Sequence, residues 1–122
     1  MGWKASAIII NKPFQIDREK LLKDLGFLHL KRIKDKRFDE VLYVYKPNRV
    51  YIGAFEDNLI ICAADLPMKL IEGKETQAER ILTTTFPSSE VCSIMLISTV
   101  NFWGYAVIKN GVKIRRQAGW SG

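Results

Sequence analysis

Asn110-Gly111 stands between two alternating runs, Phe-Trp-Gly-Tyr-Ala-Val-Ile at 102–108 and Val-Lys-Ile-Arg-Arg at 112–116. Both residues of the dipeptide accept positive φ, which a two-residue turn matched to strand twist requires, so the segment predicts a β-hairpin. Links of similar length recur upstream. Pro47-Asn48 separates 41–45 from 50–55, and Glu56-Asp57-Asn58 separates 50–55 from 59–63, all of them β-branched or aromatic runs. Parallel neighbours need crossovers of about a dozen residues or more, so strands joined this tightly must run antiparallel.

The remaining elements follow from punctuation. Residues 3–10 form an apolar, β-branched stretch closed soon afterwards by Pro13, a first strand. Asp17 is placed to cap a helix, Ile16 and Leu21 fit a hydrophobic staple, and Leu21, Leu22 and Leu25 make one stripe that Gly26 ends. A second helix over 75–86 presents Ala78, Ile81, Leu82, Thr85 and Phe86 on one face before Pro87. Glu75 and Glu79 fall on its solvated side. Strands at 91–100, 102–108 and 112–116 complete the order. Two amphipathic helices cannot cover both faces of such a sheet. The expectation is an α+β fold: a single, mostly antiparallel sheet of six or seven strands with two helices packed on one face.

A chain of 122 residues with 48% hydrophobic and 26% charged residues suits one globular domain, 1–122. Nothing in its opening residues resembles a secretory signal, and no apolar run is long enough to span a bilayer. The opening MGWKAS fits the loose Met-Gly-x-x-x-Ser acylation pattern, but a first strand explains it more simply. Cytoplasmic residence without membrane attachment is the expectation. Cys62 and Cys92 sit inside apolar runs, too few for a disulfide scaffold and without metal-site spacing, though adjacent strands would allow one bridge.

Charge is distributed unevenly within a net +6. Residues 27–50 hold seven Lys or Arg against three acids, 51–90 hold three against seven, and 91–122 hold four and none. The segment KRIKDKR contributes Lys31, Arg32, Lys34, Lys36 and Arg37, which with Lys113, Arg115 and Arg116 could form a polyanion-binding face. The same cations would also serve as an exposed connection or as a guard on a sheet edge.

Chemistry-bearing constellations are missing. His29 stands alone between leucines, no Gly-x-Ser-x-Gly or phosphate-cradling glycine loop occurs, and neither cysteine has a charged setting. Asp39-Glu40 and Glu56-Asp57 are adjacent acids that a strand would point to opposite faces. No catalytic residue, cofactor or metal ligand is therefore expected, and the chain leans away from being an enzyme. A loop-assembled site would need converging acids, or His29 beside a carboxylate. The segment WGYAV shares Gly104, Tyr105 and Ala106 with an RNA-recognition signature, yet Trp103 replaces its cation and Val107 a stacking aromatic. Alternation accounts for it better. Phe102, Gly104, Ala106 and Ile108 face one way and Trp103, Tyr105 and Val107 the other. On the next strand Val112 and Ile114 share a face opposite Lys113 and Arg115.

Three segments together, MGWK at the start, VYIGAFEDNLIIC at 50–62 and STVNFWGYAVIKNGVKIRR at 98–116, resemble a family of uncharacterised bacterial proteins frequent in actinobacteria. Its members similarly begin Met-Gly-x-Lys, carry Leu-Phe-Pro after a helix (here Thr85-Phe86-Pro87) and close on an aromatic strand followed by x-Gly-x-x-x-Arg. The resemblance implies a bacterial cytoplasmic domain with no catalytic residues. This chain departs from it in the cationic segment 31–37 and in stopping soon after Arg116, as a C-terminally truncated relative would.

The function expected is protein interaction without catalysis, with a partner or by self-association, and with Trp103 and Tyr105 as candidate contacts. Nucleic-acid or other polyanion binding through 31–37 with 113–116 is the alternative. An enzyme with a scattered site ranks third.

Overall fold

A computed structural model describes residues 4–13, 16–28, 49–72, 75–97 and 101–120. They form β1 (Lys4–Asn11), α1 (Arg18–Asp24), β2 (Val50–Phe55), β3 (Asn58–Ala63), α2 (Leu66–Ile71), α3 (Gln77–Thr85), β4 (Val91–Ile97), β5 (Phe102–Lys109) and β6 (Val112–Trp120). The strands make one six-stranded sheet in the order β2-β3-β1-β4-β5-β6, with every neighbouring pair antiparallel. This is the α+β arrangement expected. The candidate strand at 41–45 lies outside the described residues.

The main core fills the helix-covered face. Ile8 and Ile10 from β1, Leu59 and Ile61 from β3, Val91 and Ile108 meet Leu21, Leu22, Leu70, Leu82 and Phe86 from the helices. α1 is built as its punctuation predicts. Asp17 Oδ1 accepts from the Lys20 amide at 3.2 Å, Gly26 takes φ 105°, and the amides of Gly26 and Phe27 donate to the carbonyls of Lys23 and Leu22. Two orphan carbonyls at the helix end are thereby satisfied, and Phe27 turns back onto the core. α3 starts later than expected, at Gln77, because Thr76 caps it by accepting from the Glu79 amide at 3.3 Å.

A third helix, α2, arises where six residues are too few to show periodicity, and a helix this short has little stability of its own. It is held by the sheet at both ends. Ser6 and Ser93, both fully buried, stand on β1 and β4 beneath its start. Ser6 Oγ donates to the carbonyls of Ala63 and Ala64, the latter at 3.1 Å, and Ser93 Oγ donates to that of Pro67 at 2.7 Å. Its last turn is gripped by β6, as described below. Gly104 of β5 makes room for this contact, since a Cβ there would lie 3.1 Å from Ile71 Cγ2 and 3.3 Å from the Cβ of Ala118. Gly104→Val should cost about 1–3 kcal/mol by overpacking, read as a lower urea midpoint. An unchanged midpoint would show that α2 does not press on β5.

β6 departs from simple alternation. Lys113 pairs with Ile108 and Arg115 with Val107, so Ile114 is one residue too many and the strand bulges there. Lys113 and Arg115 consequently lie on opposite faces, which corrects the expectation that they share one. Lys113 and Arg116 fall on the helix side, paired with Ile108 and Ala106, while Arg115 accompanies Val107 on the other.

Candidate interaction surface

The β5–β6 hairpin closes through Asn110 at φ 53° and Gly111 at φ 76°, the positive pair that the dipeptide predicts. Replacing Gly111 with alanine should cost about 1 kcal/mol through its left-handed φ, with the loss seen as a lower melting temperature. Among the described residues β6 bonds to β5 alone, so its far side is a sheet edge. Most of its side chains are exposed, including two large apolar ones, Val112 at 61% and Ile114 at 58%.

Trp103 and Tyr105 point away from the helices and brace this edge. Trp103 lies over Gly119 of β6, where a Cβ would come within 3.3 Å of the indole, and Tyr105 Oη bonds Gln117 Oε1 at 3.0 Å. An aromatic ring laid over a strand glycine supplies the packing that the missing side chain cannot. Both aromatics are therefore half-buried by their own hairpin.

The three described cations among the expected polyanion ligands are not gathered on one surface. Lys113 Nζ lies 2.6 Å from Glu79 Oε1 and donates to the Glu72 carbonyl at 2.9 Å, while Arg116 Nε donates to the Ile71 carbonyl. Both cations thus serve the C-terminal end of α2, where carbonyls lack intrahelical partners. Arg115 is exposed on the opposite face. Lys31, Arg32, Lys34, Lys36, Arg37 and His29 lie outside the described residues.

Glu79 is a residue that pattern reading misplaces. It follows Thr76 by three residues, as in a capping box, and was expected on the solvated side of its helix with Glu75. Glu75 does stay exposed, bonded to Arg80 at 3.1 Å. Glu79 is buried, and its Oε1 has no hydrogen-bond partner among the described residues, so the close Lys113 ammonium is what compensates its charge. The signal that could have found it is its position three residues before Leu82, on the margin of the apolar stripe. The exposed Ile114 was equally concealed, because alternation without a bulge gives it an ordinary place.

Cys62 and Cys92 are free and share the face opposite the helices. Cys62 pairs with Ala7 and Cys92 with Ile9, on either side of β1. Two inter-strand spacings, roughly 9–10 Å, exceed the reach of a disulfide. Burial pushes the Cys62 thiol from 9.0 up to about 11, and Cys92 is raised by burial and then by the Glu90 carboxylate. Cys62 therefore favours the folded state fully below pH 9.0, and that contribution is lost as pH climbs toward about 11. In Ellman titration at pH 8, Cys62 should react only after denaturant is added. Rapid reaction in the native protein would contradict its burial.

At the other end of the sheet a cleft of about 700 Å³ lies between the β2–β3 turn and α1. Its carboxylates have local duties: Asp17 caps α1, Glu19 stands in the first turn of that helix, and Glu56 and Asp57 form the turn, with Glu56 at φ 54°. Among the described residues no group of three or more His, Cys, Asp or Glu is arranged to hold a metal ion, and no helix is long and apolar enough to cross a membrane. Comparison of the chain with protein-family models, curated proteins and solved structures gives no match.

Proposed function

We propose that this chain is a non-enzymatic bacterial protein-interaction domain, working in the cytoplasm, whose contact surface is the outer edge formed by β6. One observation carries the reading: the nine-residue strand β6 runs along an edge with no described neighbour, and two large exposed apolar side chains, Val112 and Ile114, stand on it. Exposed backbone donors and acceptors beside apolar anchors are what strand addition uses. The resemblance to uncharacterised bacterial proteins is compatible with this reading, since it brings no catalytic residues with it.

Polyanion binding is the competing reading. It would have to rely on the segment 31–37 with Arg115 and Arg116, which lie on opposite faces of β6, because Lys113 is already paired with Glu79.

A photo-crosslinking amino acid at Ile114, activated in cells producing the protein and followed by mass spectrometry, distinguishes them. One reproducible polypeptide partner supports the proposal. Crosslinks to nucleic acid alone, or to no macromolecule, would remove it.

A further inference from the structure

The charge on the β6 edge identifies its occupant. Resting on the interaction reading above, we infer that β6 receives an extended acidic peptide segment of a different protein, added as a seventh strand. An antiparallel edge turns every second residue's amide and carbonyl outward, so an incoming chain of any sequence finds main-chain partners. Side chains then decide which chain is accepted.

A strand laid against β6 sends its side chains alternately to the two faces of the sheet. On the face away from the helices it meets Arg115, which is exposed and makes no ion pair among the described residues. On the helix side it meets Arg116, whose Nε donates to the Ile71 carbonyl at the end of α2 and which no carboxylate neutralises among the described residues. Lys113 differs, because Glu79 already neutralises it. The segment from 91 to 122 has four basic residues and no acid to offset these arginines. Acidic residues on both sides of the incoming strand would each find a guanidinium, with Val112 and Ile114 providing apolar contact near the turn.

The same charges argue against other occupants. A second copy pairing β6 with β6 in a register centred on 115–116 would oppose arginines to arginines, and like charges directly across strands are destabilising. Cations on an edge commonly serve only to block such pairing. Two exposed large apolar side chains go beyond what a guard requires, and they favour an edge that admits one class of strand. A nucleic acid would want its cations on one surface and free aromatic faces. Here the arginines straddle the strand, and Trp103 and Tyr105 pack against β6 itself.

The test is an NMR titration of the full, isotope-labelled chain with a synthetic peptide of about ten residues carrying glutamate at alternate positions. Three comparison probes are a glutamate-to-lysine version, a version N-methylated at alternate amides, and an oligonucleotide of similar length. The inference expects shifts centred on β6, binding at least about tenfold weaker for both altered peptides, and a similar loss for the glutamate peptide with Arg115→Glu. That variant should retain native dispersion and gain affinity for the lysine peptide. Equal binding of the two charge versions, tighter oligonucleotide binding at β6, or no shifts at β6 would each overturn it. A polypeptide captured through Ile114 but still retained by Arg115→Glu would spare the interaction reading and remove this inference. Capture of none would remove both.

Discussion

Lys113→Met is expected to destabilise the protein by about 2–3 kcal/mol, although it removes a charged residue from a strand that is otherwise exposed. The Lys113 and Glu79 side chains are only 16% and 12% exposed, and their charges meet at 2.6 Å. Removing one member of a fully buried pair costs about 3–5 kcal/mol, because the other charge is stranded, and partial exposure lowers that here. Glu79 Oε1 has no described hydrogen-bond partner to fall back on. The lost bond to the Glu72 carbonyl loosens the end of α2 as well. Adding Glu79→Leu should recover most of the loss, since two apolar side chains can fill space that two charges occupied. Urea denaturation of both single variants and the double gives the coupling directly. Additive effects would show that the pair is incidental.

The second large effect concerns α2. Leu70 is fully buried in the main core, and Leu70→Ala should cost about 3–5 kcal/mol through lost transfer energy and the cavity left behind. Relaxation cannot recover much, because Ser6 and Ser93 hold the start of the helix and the β6 cations hold its end. A domain of this size has about 5–15 kcal/mol in total, so unfolding by denaturant should move to a much lower midpoint. A loss below about 1 kcal/mol would mean that α2 yields and refills the space.

Local chemistry was legible in the sequence wherever a residue type has one dominant use. Asp17 and Gly26 bound α1, Asn110-Gly111 closes the last hairpin, and the short links impose antiparallel pairing. What could not be read depends on contacts between distant segments. α2 has fewer than two turns, and its stability comes from serines and cations on strands distant in sequence. The bulge at Ile114 leaves no compositional mark, yet one inserted residue sends Lys113 to the helix side and Arg115 to the opposite face. Glu79 is misplaced for the same reason, since its burial depends on a lysine 34 positions later reaching it (113 minus 79). Trp103 and Tyr105, the candidate contacts for a partner, pack against the adjacent strand, a contact that depends on the β5–β6 register.

Amide hydrogen exchange along β6 tests the free edge most directly. With β5 bonded on one side only, residues 112–120 should alternate, slowly exchanging amides that face β5 beside rapidly exchanging ones that face outward. Uniformly slow exchange along the strand would show that the outer side is already covered, and no edge would remain for a partner.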